Sequence, residues 1–423
     1  MHGITLIILI GLVLFAPSLP AANVIFMHID GAGISHWQAA RFYWAGPDAD
    51  MNWDRIPEIA VYRGHMADAL SATSNGAATT HAYGLKAKSK AFGTMGNDVE
   101  RPISASGRPG SLMHEAIERG LRTGLINSGS IIEPGTACYV ASVNERDDFQ
   151  EITKQVLESG VDVILSGGEE WFLPEGTKGR HVASGLRKDA IDLVETARKL
   201  GYHIVYNREE LMAVPEQTKK LLGIFAARNT FNDMPEEKMR ESGLPTYDRQ
   251  APTLAEMTAA ALKILAPGPF FLIVEEEGVD NFGNCNNGLG VLDSLKRADD
   301  ALAVGIDFLK NNNETLLVTT GDSSAGAMDV LSFLPTPARL LQASKGQDLN
   351  GAPYSLSADG SPFLSQPDRS GVRHPFVLTW GSQHDASGGI LVRAAGKDAS
   401  KVRGTFDNTQ IYQLMRETLF GDK

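Results

Sequence analysis

Ser74 stands just before a run of small residues, Gly76-Ala77-Ala78, within the segment Ser71 to Gly93. Small residues there open a helix, whose first backbone N–H groups converge where an anion can be held. A lone serine in that place is ordinarily an N-cap. This one has company, because three apolar runs of strand character end in acids: Asp30 follows Asn23 to Ile29, Glu275 follows Phe270 to Val274, and Asp322 closes the run from Thr315. Arg146 lies in VNERDD, a cluster that by itself reads as a solvated charged surface. Together, a serine, acidic metal ligands and an arginine are what phosphoryl transfer through a covalent phosphoserine requires.

The stretch Glu275-Glu276-Glu277-Gly278-Val279-Asp280 crowds several carboxylates together. They repel one another unless solvated or neutralised, and a bound cation is one solution. Glu276 and Glu277 fit an acidic surface loop equally well. Glu275, directly after an unbroken apolar run, is expected at the buried end of its strand. Glu133 lies in a loop, Glu133-Pro134-Gly135-Thr136, after a further strand at 123–128.

These residues need a scaffold that brings strand ends together. Short apolar strands alternate with helical segments along the chain, the pattern of a mostly parallel sheet covered on both faces, and ligands bind such sheets beyond the C-terminal strand ends. The expected fold is therefore a three-layer α/β/α sandwich, one domain over 23–423 with a loop insertion at about 333–374. Helices are expected at 184–200, after the capping box Thr253-Leu254-Ala255-Glu256, and over 288–310, while 232–250 reads as a loop. The insertion, rich in Pro, Gly and Ser, is expected to act as a lid that shapes substrate access.

A formal charge of −12 over 423 residues argues against a general nucleic-acid binder and against an anionic membrane surface. The apolar run Ile4 to Ala16, followed by small residues up to Ala22, resembles a secretory signal, with a mature start at Asn23 and a periplasmic or extracellular destination. An uncleaved anchor is the alternative. Two cysteines, Cys138 and Cys285, are too few for a disulfide framework, and whether they pair stays open.

Taken in order, IDGAGIS, TSNGAATTHAYGLKAKSKAFG, VNER, VDVILSGG, PTLAEMTAAALKIL, VEEEGVDNFGNCNN, VTTGDSS and DNTQIYQLMRETL resemble the alkaline phosphatase family over nearly the whole chain after position 22. The resemblance implies that Ser74 is the nucleophile and that Arg146 grips two phosphate oxygens. It implies that Asp30 is shared between metal sites, that Glu275 is a magnesium ligand with Glu133 near another, and that Asp280 and Asp322 each serve one of the paired sites. The family usually has histidine where this chain has Asn284 and Ser323, and its third histidine falls close to His384 and Asp385, which makes His384 a candidate ligand. The acid that often precedes the nucleophile is Thr73 here, so Arg146 lacks that orienting partner. His28 and His36 flank Asp30 and read as structural or surface residues.

Exchanging imidazole for oxygen donors hardens the site, which points to Mg2+, or to Ca2+ or Mn2+, rather than Zn2+. The implied activity is hydrolysis of small phosphate monoesters, with a homodimer as one open assembly state. A phosphodiesterase on the same fold and a non-catalytic phosphate- or metal-binding protein are the alternatives; no formylglycine motif of the sulfatase kind surrounds Ser74.

Overall fold

The runs Phe270–Glu276 and Thr315–Thr320 are buried at every position, as parallel strands covered by helices on both faces must be. The structure, a computed structural model, describes residues 22–95, 101–332, 353–357 and 359–421. Its strands in chain order are β1 (Asn23–Ile29), β2 (Glu58–Arg63), β3 (Arg122–Ser130), β4 (Val163–Gly167), β5 (His203–Val205), β6 (Leu221–Ile224), β7 (Phe270–Glu276), β8 (Thr315–Thr320), β9 (Asp329–Leu331), β10 (Tyr354–Ser355), β11 (Phe363–Leu364), β12 (Pro375–Thr379), β13 (Leu391–Gly396) and β14 (Gly404–Asp407). Ten of them form one sheet in the order β14-β2-β13-β8-β1-β7-β3-β4-β6-β5. Only β13 runs antiparallel to its neighbours β2 and β8; the other pairings are parallel. Strands β9 to β12 form a small separate antiparallel sheet.

Alternate side chains of β1 enter opposite cores, as the period of a strand dictates. Val24 and Phe26 pack with Ala78, Ala82, Leu112 and Ile411 on one face, while Ile25, Met27 and Ile29 pack with Met257, Leu292 and Leu302 on the other. This is the expected α/β/α sandwich. His28 and Asp30 continue the first of these faces, toward the helix Ser74–Tyr83.

Two expected boundaries change. Only Leu193–Lys199 of the stretch 184–200 is helical, because the Arg187 guanidinium is buried on the Gln150 and Trp171 carbonyls and on Asp189. Ala190 then has φ of 60°, a left-handed conformation that helix cannot include. Conversely, the stretch expected as a loop contains the helix Glu236–Ser242, entered after Pro235 and ended by Gly243 with φ of 60°. Strands β2 and β14 are additions to the sequence reading; β2 lies at the second position from the edge, and its exposed Ile59 and Val61 blur the apolar contrast.

Both cysteines are free. Among the described residues no helix is long and apolar enough to cross a membrane. The expected leader and residues 333–352 and 358 of the insertion lie outside the described residues; the described remainder of the insertion supplies β10 and β11.

Candidate active site

The order β8-β1-β7-β3 places four parallel strand ends side by side at the middle of the sheet. His28 is in register with Glu275 on one side and Thr320 on the other, and Asn127 of β3 is in register with Glu275. Asp30, just past β1, and Asp322, two residues past β8, therefore converge with Glu275. The Gly31 N–H donates to Asp322 Oδ1 at 3.2 Å, tying the two turns together. Gly31 has φ of +71°, and a Cβ there would come within 2.8 Å of the Asp280 backbone, so only glycine lets the helix Gly278–Asn284 approach this closely.

Two groups of ligand-type atoms result, His28 with Asp30 and Asp322, and Asp30 with Glu275 and Glu277, the atoms of each lying within 4.8 Å of one another. Asp30 belongs to both. Neither of its oxygens has a hydrogen-bond partner, although the residue is fully buried, and Asp322 Oδ2, Glu275 Oε1 and Glu277 Oε2 are equally unsatisfied. Burial, followed by the charges of Asp322, Glu277 and Asp280, pushes the Asp30 carboxyl well above the usual range. Burial and then Glu133 and Glu275 do the same to Glu277. Burial alone would raise Asp322 too, but His28, the Asp30 side chain, the Gly31 N–H and His81 together outweigh it and hold that carboxyl low.

The serine and the arginine arrive on separate elements. Ser74 is the first residue of the helix Ser74–Tyr83 and is 4% exposed. The cap is Thr73, whose hydroxyl accepts the Gly76 N–H at 3.3 Å, so the ordinary N-cap role is already filled. That helix packs on the short turn Pro134–Ala137, where Cys138 Sγ donates to the Asn75 carbonyl at 3.7 Å. Glu133 caps the start of the same turn, and burial raises its carboxyl to about 7 despite Arg146. Arg146 Nη2 lies 3.4 Å from Glu133 Oε2, a carboxylate contact for the arginine where position 73 is a threonine. Burial works against the Arg146 charge, but Glu133, Glu277 and Asp30 keep it firmly protonated.

A third set surrounds Asp280. The Asn284 amide donates to Asp280 Oδ1 at 2.9 Å and to Asp385 Oδ1 at 3.1 Å, while its own oxygen accepts the Gly326 N–H at 3.0 Å. Burial and then Asp385 raise the Asp280 carboxyl well above normal. Ser323 is fully buried, and its hydroxyl has no hydrogen-bond partner. His384 is exposed, with its backbone N–H on the Ser382 hydroxyl at 3.0 Å; its neighbour Asp385 is the residue that turns inward.

Residues 21–420 match the family model described as alkaline phosphatase. The chain belongs to the alkaline phosphatase family. It is 26% identical to alkaline phosphatase of Escherichia coli K12 over 441 residues, covering 95% of this chain and 86% of that one. It is also 26% identical to the human tissue-nonspecific isozyme over 351 residues, covering 72% and 63%. Thermus thermophilus alkaline phosphatase superimposes with a TM-score of 0.72 at 21% identity, covering 96% and 93%, and that of the Antarctic bacterium TAB5 with 0.71 at 18%, covering 95% and 99%. As an alkaline phosphatase-family enzyme it is a metal-dependent phosphoester hydrolase.

The donor set fits that dependence. Five carboxylate oxygens on Asp30, Asp322, Glu275 and Glu277 are buried without partners, a costly arrangement unless a cation neutralises them. Close packing preserves it: a Cβ on Gly135 would overlap the Glu275 carboxylate and the His28 imidazole. One on Gly129 would lie 2.9 Å from the Glu277 side chain and 3.0 Å from that of Glu133.

Sequence reasoning missed Glu277, Asp385 and His28 at this site and misplaced Glu276. Glu276 and Glu277 are both buried, so the surface-loop reading fails for each. Alternation sends Glu276 to the far face, where Arg297 pairs with it at 3.1 Å, and Glu277 to the acidic group. Asp385 was masked by the neighbouring histidine. His28 is buried rather than on the surface, and the available signal was its position two residues before Asp30, which puts both on one strand face. His36, by contrast, is held by the Gly33 N–H and the Ala325 carbonyl at 3.2 and 3.1 Å, a structural role.

Proposed function

We propose that this enzyme hydrolyses phosphate monoesters by way of a covalent phosphoserine on Ser74, using oxygen-seeking divalent ions such as Mg2+ or Mn2+. The observation that carries the reading is Asp30, a buried carboxylate with both oxygens unpartnered, common to two ligand-type groups. Asp30 with Asp322, Glu275 with Glu277, and Asp280 with Asn284 and Asp385 would hold the ions. Bound there, the ions would neutralise the crowded carboxylates and polarise the attacking and leaving oxygens.

Ser74, at a helix start whose cap is already filled, is free to attack phosphorus. Arg146, steadied by Glu133, would grip two phosphoryl oxygens with its planar fork. Ser323 and Asp385 give oxygen donors where the family usually has imidazole, and Asn284 an amide whose only ligating atom is likewise oxygen, which favours hard ions over zinc.

The test is hydrolysis of a chromogenic phosphate monoester, and separately of a diester, by chelator-stripped protein given Mg2+, Ca2+, Mn2+ or Zn2+. Recovery of monoester turnover with Mg2+ or Mn2+, and loss of a trappable phosphoenzyme in Ser74→Ala, is expected. Recovery with Zn2+ alone would overturn the ion assignment, undiminished turnover in Ser74→Ala the nucleophile, and faster diester cleavage the substrate class.

A further inference from the structure

We propose that His28 is itself a metal ligand, its Nε2 completing a three-residue site with Asp30 and Asp322. The inference deepens the metal-dependent reading above and rests on it. His28 is fully buried and both ring nitrogens lack a hydrogen-bond partner. A buried imidazole without partners costs stability in a purely structural role. Its two nitrogens face different acids: Nδ1 lies 3.4 Å from Glu275 Oε1, and Nε2 lies 3.9 Å from Asp322 Oδ1. The atoms of His28, Asp30 and Asp322 fall within 4.8 Å of one another, a spacing that a single ion can bridge.

The arrangement has the polarity of a ligating histidine. Such a residue donates its second N–H to a carboxylate, which sets the tautomer and aims the other nitrogen at the metal. Glu275 is placed for that task, since its other oxygen accepts from the Asn127 amide and so cannot swing away. Gly135 leaves the room that the His28–Glu275 contact occupies. The residue after Asp322 is Ser323, where the family usually has histidine. The nitrogen donor for this site thus comes from strand β1, two residues before Asp30, instead of from the turn after β8. A site of one imidazole and two carboxylates accepts Mn2+, whereas the neighbouring group of Asp30, Glu275 and Glu277 is all oxygen and suits Mg2+.

Manganese provides a readout independent of activity. Full-length protein is stripped with chelator, loaded with Mn2+ and studied by pulsed electron paramagnetic resonance, which detects a directly bound imidazole by its 14N modulation. Wild-type protein should show the modulation, uniform 15N-histidine labelling should replace it with the 15N pattern, and His28→Gln should lose it while Mn2+ affinity falls by about 10- to 100-fold. Mn2+ binding to wild type without nitrogen modulation would overturn the proposal and leave the metal-dependent reading intact, a result that needs no variant to fold. Modulation that persists in a folded His28→Gln protein would overturn it as well, by assigning the nitrogen to another histidine. No Mn2+ binding to wild type would overturn both this assignment and the Mn2+-capable site above.

Discussion

Arg146 is held by one long contact to Glu133 and is partly exposed, which suits a side chain that must close on a ligand. In the proposed reaction its value lies in the fork: two parallel N–H donors would match two phosphoryl oxygens, and a lysine would offer only a point charge. Arg146→Lys should therefore lower kcat/KM by about 10- to 100-fold, the worth of one lost charge-assisted hydrogen bond. Steady-state kinetics on a chromogenic monoester checks this, and inorganic phosphate should inhibit the variant correspondingly less. Glu133→Gln removes the carboxylate that orients the arginine but keeps the shape. It should cost less than Arg146→Lys, with the loss falling mainly in KM.

At the scale of elements, the turns matter more than the strands they join. The turn after β3 brings Gly135 against Glu275 and His28 with no space for a methyl group. Gly135→Ala should leave the sheet intact, since the turn is outside it, yet push Glu275 off its position. We expect a stability loss of about 1–3 kcal/mol from overpacking, read by denaturant unfolding, together with weaker Mn2+ binding. A comparable substitution at exposed Gly107, which a Cβ would leave without contacts, should cost only its backbone strain and leave metal binding unchanged. Thr73→Ala tests a different joint: it deletes the cap of the Ser74 helix and should cost about 1 kcal/mol.

For the whole molecule, the buried acids link stability to pH. Glu133 is raised to about 7 by burial and by Glu275, against the pull of Arg146, and Asp30, Glu277 and Asp280 are raised well above the usual carboxylate range, mainly by burial. A carboxyl raised in the folded state binds its proton more tightly there than in the unfolded chain, so raising the pH costs stability once the unfolded group ionises. His28, where burial lowers but Glu275 and Asp322 win and raise the imidazole, acts with the same sign above its ordinary range. Asp322 is lowered and acts oppositely, but only below the usual carboxylate range. Metal-free protein should thus lose Tm between about pH 5 and 8. Divalent ions, which bind deprotonated carboxylates, should restore it with a larger gain at pH 8 than at pH 5. Calorimetry with and without Mg2+ or Mn2+ at the two pH values measures both slopes.

Strand periodicity and the position of acids at strand ends determine a good deal by themselves. Asp30, Glu275 and Asp322 are legible because an apolar run that ends abruptly must end at the edge of the buried sheet. The parallel α/β class follows from the alternation of strands and helices, and the family from the order of its motifs. What the sequence could not contain is which strand ends become neighbours. The order β8-β1-β7-β3 sets positions 30, 133, 275 and 322 together across nearly 300 residues, and long-range pairing leaves no local mark. That order turns His28 from a residue of an apolar strand into a partner of Glu275 and Asp322. It also decides, through strand alternation and tight glycine turns, that Glu277 faces the site while Glu276 faces Arg297, and that Asp385, not His384, turns inward.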